Sequence, residues 1–215
     1  MSTETIGREE FEKMLQFKMS PENLKLVKKA YRMSKYGHKG QERQSGERYF
    51  EHPKTMALIL INEFQIYDHE MIIAALLHDG VEDSFIFGTG NEAFDEIEKE
   101  FGKRPAQFVA LLTKARCEEN QKSQRDCGYY NALYDGPAEA KVLKLVDRIH
   151  NLRTLKDCDI KKQERQLLET SMCVWRIAES IAKECPDVFS AFSQEYQDAK
   201  AHFDSLRSTR SFSNI

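Results

Sequence analysis

Four side chains able to bind a metal or carry a proton lie within one six-residue run of the sequence. The run reads His78-Asp79-Gly-Val-Glu82-Asp83 and directly follows the apolar stretch Ala-Ala-Leu-Leu. His78 and Asp79 offer one nitrogen and one oxygen ligand to a divalent cation. On a helix, Glu82 and Asp83 would share the face of those residues, because each lies four positions later. The run is typical of a metal-centred hydrolytic site.

Two further residues could complete the metal ligands. His52 precedes Pro53, and Asp147 lies on or beside the apolar face of a later helix. As an ordinary residue, Asp147 would pair with Arg148 or lie exposed beside a solvent-facing Lys144. A carboxylate on an apolar face needs a partner or a metal, however. Because the same chain also contains the pair His78-Asp79, the metal interpretation becomes the better one. We therefore predict a set of two histidines and two aspartates: His52, His78, Asp79 and Asp147.

Mixed imidazole and carboxylate ligands suit manganese, iron or zinc, with positions left open for water. A metal that keeps water can generate a nucleophile near neutral pH. Glu82, and after it Asp83, is predicted to take the proton of the attacking water or to protonate the leaving group. The alternative is that both are solvated carboxylates at a helix end.

A glycine-punctuated loop at residues 38–53 could meet an anionic substrate. Arg43 offers a planar fork for phosphate oxygens, and Ser45 lies two positions later. The same loop could be merely a solvated turn. Asn151 is predicted to lie one turn after Asp147 on the same helix. The remaining histidines, 38, 69, 150 and 202, are predicted to pack or hydrate.

Helical periodicity recurs along nearly the whole chain, and no segment alternates as a strand would. The prolines favour helix starts, where their missing N–H costs nothing. We predict helices at residues 8–18, 21–36, 53–65, 69–79, 92–101, 105–115, 122–134, 137–154, 160–184 and 187–206. The expected architecture is an all-α single domain over residues 1–215, with a core of about 20–206 and a frayed tail at 207–215.

The composition excludes several function classes. The 215-residue chain has a net charge of −3, which gives no footprint for duplex nucleic acid or an anionic membrane. There is no apolar run of about 18 residues and no signal pattern at the N-terminus. The five cysteines are widely spaced and indicate reduced thiols. We expect a cytoplasmic protein without a nucleic-acid or membrane partner; its oligomeric state stays open.

Four stretches, in this order, resemble the HD-type hydrolase domain of the RelA/SpoT alarmone enzymes, and the likeness covers about residues 24–175. The matching motifs are His-x-Gly-Gln-x-Arg-x-Ser-Gly-Glu with a later Tyr and His-Pro (38–53), Ala-Ala-Leu-Leu-His-Asp-x-Val-Glu-Asp (74–83), Thr-Lys (113–114) and Val-x-Lys-Leu-x-Asp-Arg-x-His-Asn-Leu-Arg-Thr-Leu (142–155), with Glu-Ile-x-Lys-Glu-Phe-Gly (96–102) between the second and third. The resemblance implies one HD-domain helical bundle of roughly ten helices.

The resemblance also implies a manganese-dependent (p)ppGpp 3′-pyrophosphohydrolase that releases pyrophosphate from the ribose 3′ position and returns GDP or GTP. By position, the family's metal ligands fall on His52, His78, Asp79 and Asp147, and its catalytic pair on Glu82 and Asp83. Its nucleotide-contacting loop falls on Arg43 and Ser45, and its ribose and base contacts fall on Asn151 and Thr154. Long members of the family continue into a synthetase domain, for which 215 residues leave no room. The chain is therefore expected to resemble a small stand-alone alarmone hydrolase.

Two departures from the family pattern concern the substrate. Gln44 stands where the long enzymes usually carry a basic residue, and the link Ser84–Glu92 is several residues longer than usual. This link could be a lid or selectivity element, or equally a surface elaboration. The alternative functions are an NADPH 2′-phosphatase using the same site, a non-catalytic nucleotide-binding sensor, and a general HD phosphohydrolase for nucleotides.

Overall fold

All regular structure in the described part of the chain is helical. The computed structural model describes residues 6–88 and 91–212. Within these ranges, the pairing of β type is one isolated antiparallel bridge between Glu42 and Arg48. The all-α fold predicted from periodicity is therefore confirmed.

Each predicted helix start lies within two residues of an observed one. The α-helices of the described residues are α1 (Arg8–Leu15), α2 (Pro21–Gly37), α3 (Glu51–Asn62), α4 (His69–Leu77), α5 (Asn91–Phe101), α6 (Lys103–Leu112), α7 (Lys122–Asp135), α8 (Ala138–Arg153), α9 (Ile160–Glu169), α10 (Trp175–Ile181) and α11 (Pro186–Phe212).

The chain divides into two compact units. The first contains Met1–Gln41 and Tyr49–Thr113, and the second contains Glu42–Arg48 and Lys114–Ile215. Helices α1 to α6 belong to the first unit and α7 to α11 to the second. Neither unit is one continuous stretch of chain, because the short segment 42–48 interrupts the first and belongs to the second.

Helix α4 forms the centre of the first unit. It contacts α2, α3 and α6, and every residue from Met71 to Leu77 is buried. Its N-terminus is capped by Asp68, whose carboxylate accepts hydrogen bonds from the N–H groups of Glu70 and Met71 at 2.8 and 3.2 Å. Because α4 is fixed at its cap and along its length, His78, which directly follows its last residue, has a defined position.

The predicted start of α3 at Pro53 is wrong. The helix begins at Glu51, and both His52 and Pro53 lie in its first turn. Proline is tolerated there because the first four N–H groups of a helix have no intrahelical acceptor. His52 is thereby held by a helix instead of a loop.

In the second unit, helix α8 lies against α7, α10 and α11. Eleven of its residues are buried, and four of them, Lys144, Asp147, Arg148 and His150, are polar or charged. Buried charges must be paired. The partners of these groups are described in the next subsection.

The single helix predicted at 160–184 is interrupted. A π-helical turn, Thr170–Val174, separates α9 from α10. At its start, the hydroxyl of Thr170 donates a 2.6 Å hydrogen bond to the Gln166 carbonyl, a side-chain bond that competes with the regular backbone ladder. A π turn adds a residue to one turn, so the side chains of α10 are rotated about the helix axis relative to those of α9.

At the other end of the chain, α11 continues to Phe212, beyond its predicted end at residue 206. Residues 207–212 belong to α11, and 213–215 lie outside the described residues; the fraying predicted for 207–215 stays a prediction. No helix of the described part of the chain combines the length and apolarity needed to span a membrane.

Candidate metal centre

Three predicted metal ligands converge in the first unit. One donor atom from each of His52, His78 and Asp79 lies within 4.8 Å of the other two. The His78 Nε2 atom is 3.0 Å from Asp79 Oδ1, and His52 Nε2 is 3.7 Å from Asp79 Oδ2. Both histidines are buried, with 3% and 4% of their surface exposed, respectively. The three side chains present their donor atoms to one small volume.

The tautomer of His78 fits a metal ligand. Its Nδ1 lies 2.9 Å from the Ala75 carbonyl oxygen, which can only accept, so Nδ1 carries the proton. In the neutral ring, Nε2 then holds a lone pair and faces the Asp79 carboxylate. A cation bound by both atoms is compatible with this 3.0 Å separation, and a carbonyl partner on the far nitrogen is the usual arrangement of a metal-binding histidine. The donors therefore fit a divalent metal.

Tyr49 bridges two of the predicted site carboxylates. Its hydroxyl lies 3.0 Å from Asp79 Oδ2 and 2.5 Å from Asp83 Oδ2. Burial, together with the nearby charge of Asp79, raises the pKa of the Tyr49 hydroxyl far above its ordinary value. Tyr49 therefore remains a hydrogen-bond donor. The sequence motif contains this tyrosine but gives it no role.

A second group of contacts fixes Tyr49 from behind. The His38 ring stacks on the Tyr49 ring, with centroids 4.6 Å apart and planes 13° apart. The Gln41 side-chain nitrogen donates to the Asp83 carbonyl at 2.7 Å, so the Gln41 amide oxygen must face His38 Nδ1, 2.8 Å away. His38 Nδ1 is thus the protonated nitrogen, and burial lowers the pKa of His38. His38 packs and positions, as predicted for this histidine.

The acidic pair lies in a turn, since α4 ends before it. The Asp83 N–H donates to the Asp79 carbonyl at 2.9 Å, which is a hydrogen bond of the helical four-residue spacing within this turn. Glu82 is half-buried and Asp83 is exposed. The expectation that the pair continues the helical face is therefore wrong, and Asp83 is linked to Asp79 through Tyr49 instead.

The fourth predicted ligand, Asp147, belongs to the second unit. Its Oδ2 accepts a 2.8 Å hydrogen bond from Lys144 Nζ, and its Oδ1 accepts a 2.6 Å hydrogen bond from Asn151 Nδ2. Lys144 is buried and not solvent-facing; burial lowers its pKa, but the charge of Asp147 outweighs it and keeps the pKa well above the ordinary value. The membership of Asp147 in a metal site stays a prediction.

Arg43 and Asn151, predicted to contact substrate, are neighbours in the second unit. Arg43 Nη2 donates to Asn151 Oδ1, and Nη1 lies 3.2 Å from His150 Nδ1. Arg43 also lies 3.8 Å from the Glu47 carboxylate. The guanidinium of Arg43 is thereby oriented by two residues of α8. Asn151 in turn donates a hydrogen bond to Asp147.

The other two predicted substrate contacts lie close in sequence to this cluster. Ser45 Oγ is buried, and no hydrogen bond is made to it within the described residues. Thr154 follows α8, and its hydroxyl faces the carbonyls of His150 and Asn151 at 3.2 and 3.3 Å. A role of either residue in nucleotide binding stays a prediction.

Gln44, the departure noted in the loop, has a partner in the second unit. Its side-chain nitrogen donates to Asp159, the residue that caps α9. A cavity of about 370 Å³ lies beside this pair and is lined by Lys161, Lys162 and Arg165 as well.

A charge cluster in the second unit was not predicted. Glu169 accepts hydrogen bonds from Lys114 Nζ at 2.7 Å, Tyr130 at 2.6 Å and Arg148 at 2.8 Å. Burial would raise the pKa of Glu169, but the charges of Arg148 and Lys114 outweigh it and hold the pKa well below its usual range. The cluster gives the motif residue Lys114 a structural partner.

A family model described as "HD domain" matches residues 30–194. The chain belongs to the HD-domain family. The match covers well over half of the sequence and includes every predicted site residue of this HD domain.

Curated relatives of the HD domain are alarmone enzymes. The bifunctional (p)ppGpp synthase/hydrolase SpoT of Escherichia coli is 31% identical over 167 residues, covering 75% of this chain and 22% of the relative. The guanosine-3′,5′-bis(diphosphate) 3′-pyrophosphohydrolase of Aquifex aeolicus is 36% identical over 149 residues, covering 68% of this chain and 20% of the relative. The chain thus spans about a fifth of the length of the relatives it matches.

A solved structure of a metazoan SpoT orthologue, described as hydrolysing ppGpp and acting in starvation responses, has the same fold. The TM-score is 0.66 at 21% sequence identity, and the match covers 80% of this chain and 94% of the other. The all-α HD architecture predicted from the sequence agrees with this likeness.

Proposed function

We propose that this chain is a metal-dependent (p)ppGpp 3′-pyrophosphohydrolase, which releases pyrophosphate from the ribose 3′ position and leaves GDP or GTP. The observation that carries the proposal is the convergence of His52, His78 and Asp79, with donor atoms within 4.8 Å, in an HD-domain chain. The activities for which its curated relatives are named support the choice of substrate.

His52, His78 and Asp79 would hold the metal, and Asp147 is retained as fourth ligand on the strength of the sequence. We propose Mn²⁺, because mixed nitrogen and oxygen donors suit it. When bound, such a cation supplies Lewis acidity that makes water nucleophilic near neutral pH. The single HD-type domain and the cytoplasmic location predicted from the sequence also stay proposals, the first supported by a family match that runs from 30 to 194.

The acidic pair manages the proton in this scheme. Asp83 has its carboxylate oriented by Tyr49 and its backbone carbonyl bound by Gln41. Such a fixed carboxylate can take a proton from water or give one to the leaving oxygen. Glu82, half-buried in the same turn, remains the first candidate from the sequence, with Asp83 as its partner.

The nucleotide contacts are proposed from the Arg43 cluster. Arg43 uses two of its five N–H donors on His150 and Asn151, so others remain for phosphate oxygens. Asn151 and Thr154 would position the nucleoside, and Ser45 Oγ has acceptor and donor capacity to offer a phosphate.

The test is pyrophosphate release from ppGpp by metal-free protein titrated with Mn²⁺. We expect turnover that requires the metal, and we expect its loss in the Asp79→Ala variant. Asp95→Ala is the matched control, because Asp95 is an exposed aspartate of the first unit. Equal activity of Asp79→Ala and the wild type would overturn the scheme. Phosphate release from NADPH in a parallel assay separates the 2′-phosphatase alternative.

A further inference from the structure

Tyr49 lies where the metal ligands and the acidic pair of the first unit meet. Its hydroxyl is within hydrogen-bond distance of both Asp79 and Asp83, at 3.0 and 2.5 Å. We propose that Tyr49 is a positioning residue that couples the metal ligand Asp79 to the catalytic candidate Asp83. This inference rests on the proposed function and assigns the motif tyrosine a role within it.

The coupling follows from the count of protons. A phenol hydroxyl has one proton to donate, and two carboxylates compete for it. Because that single hydrogen lies between the two carboxylates, the hydroxyl holds Asp79 Oδ2 in place for a cation and holds Asp83 beside it. Loss of the hydroxyl would free both carboxylates, so the position of Asp79 and the orientation of Asp83 would be lost together.

The Tyr49 hydroxyl can act in this way because its ring is fixed. The ring stacks on buried His38, and the backbone N–H of Tyr49 donates to the Gln41 carbonyl at 2.9 Å. The Gln41 side chain in turn joins His38 to the carbonyl of Asp83. Tyr49, His38, Gln41 and Asp83 thus form a closed cycle of contacts. The Tyr49 ring is fixed by one side of this cycle and the Asp83 backbone by the other, which sets the position of the hydroxyl relative to the carboxylate.

The hydroxyl can be tested separately from the ring. Phenylalanine keeps the stacking surface against His38 and loses only the hydrogen bonds to Asp79 and Asp83. A role in packing alone would therefore leave metal binding unchanged in Tyr49→Phe. Tyr36→Phe is the matched control, because Tyr36 belongs to the same unit, is 62% exposed, and contacts Phe85 by its ring.

The first measurement is calorimetric titration of metal-free protein with Mn²⁺ alone. Removing a hydrogen-bond partner of a metal ligand typically weakens metal binding by about 10- to 100-fold, and we expect at least about tenfold for Tyr49→Phe. Tyr36→Phe should bind as the wild type does. A Tyr49→Phe affinity within about twofold of the wild type would overturn the proposal. Circular dichroism of the metal-free proteins verifies that each variant is folded.

The second measurement is a double-mutant cycle with Asp83→Asn, again read out as Mn²⁺ affinity. If Asp83→Asn acts only through the loss of charge, it changes the Mn²⁺ affinity by the same factor whether or not the Tyr49 hydroxyl is present. Coupling through the hydroxyl adds a non-additive part, which we expect to be about threefold or more. Strictly additive effects of the two substitutions would contradict the coupling.

Activity distinguishes this inference from the proposed function. In Tyr49→Phe we expect kcat for ppGpp to fall about tenfold or more with KM nearly unchanged, because Asp83 loses its orientation and the nucleotide contacts are untouched. A fall in kcat/KM that arises from KM alone would overturn the positioning role. If the wild type releases no pyrophosphate, the proposed function is wrong, and the two metal titrations still decide whether Tyr49 couples Asp79 to Asp83.

Discussion

Arg148 Nη2 donates a 2.8 Å hydrogen bond to Glu169, and Arg148 directly follows Asp147 in α8. Arg148 is buried, with 3% of its surface exposed, so Glu169 supplies the counter-charge that its burial requires. Lys114 and Tyr130 donate to the same carboxylate. Glu169 thus holds the side chain of the residue next to a predicted metal ligand, without being part of the site.

The Glu169→Gln substitution should lower the free energy of unfolding by about 2–3 kcal/mol, because three hydrogen bonds lose their charged acceptor. Urea denaturation at neutral pH measures the change. Glu164→Gln is the control on the same helix, since Glu164 is 62% exposed and its Arg207 pair is long at 3.6 Å. We expect that control to change stability by less than about 0.5 kcal/mol. A similar loss in both variants would contradict the role of Glu169.

The same cluster makes stability depend on acid pH. The folded-state pKa of Glu169 is held below its ordinary value, although burial acts against this, because Arg148 and Lys114 favour the charged carboxylate. Its stabilisation is therefore complete above the unfolded-state pKa of about 4.3 and is lost as the pH falls through the folded-state pKa. The difference in unfolding free energy between wild type and Glu169→Gln should shrink below about pH 4. A difference independent of pH would contradict this assignment.

Arg43→Lys tests the oriented fork. A lysine cannot donate to His150 and Asn151 at once and present further donors to phosphate, since it lacks the planar fork. We expect KM for ppGpp to rise about tenfold, which corresponds to the loss of about one charged hydrogen bond. Arg32→Lys, at an exposed position of α2, should leave KM unchanged. Steady-state kinetics of both variants measure KM. A KM of Arg43→Lys equal to that of the wild type would contradict the prediction.

Two glycines should respond in opposite directions to alanine. A Cβ on Gly37 would lie 2.9 Å from Cγ1 of Ile86, in the link that follows the acidic pair, so Gly37→Ala should cost about 1–2 kcal/mol. A Cβ on Gly128, inside α7, meets nothing within 4 Å, so Gly128→Ala should gain about 0.5–1 kcal/mol. Thermal or urea unfolding compares the two. Equal effects would show that Ile86 does not pack closely on Gly37.

Metal binding should stabilise the folded protein. Mn²⁺ at about 100 times its dissociation constant should raise the free energy of unfolding by about 2.7 kcal/mol, provided that it binds the folded state alone. The thermal transition of Asp95→Ala should rise with Mn²⁺ as the wild type does, and that of Asp79→Ala should not. A transition in Asp79→Ala that responds to Mn²⁺ as the wild type does would place the metal elsewhere.

The ligand types of the first unit were predictable because their spacing is local. His78 and Asp79 are adjacent at the end of an apolar helix, and the approach of His52 to them follows once α3 and α4 are in contact. The helix starts were predictable for the same reason, since capping residues such as Ser20 and Asp68 act within one turn.

Tyr49 and Glu169 were not predictable from local pattern. A tyrosine in a glycine-rich loop has no signal that it will lie between two carboxylates. Glu169 is one of two glutamates on the amphipathic helix α9, and its partner Lys114 is 55 positions away. Arg43 and Asn151 are 108 positions apart, so only the fold brings them together.

The π turn at Thr170–Val174 was also not predicted, because one extra residue barely changes the period of the hydrophobic residues.

The segment Glu42–Arg48 interrupts the first unit and belongs to the second. No single backbone break can therefore divide the two units. Scission after Thr113 would leave Arg43 on one fragment and its acceptors, His150 and Asn151, on the other. Recombination that transfers the whole second unit must therefore carry two separate stretches of coding sequence. A single crossover between relatives would combine the 42–48 segment of one parent with the 114–215 segment of the other.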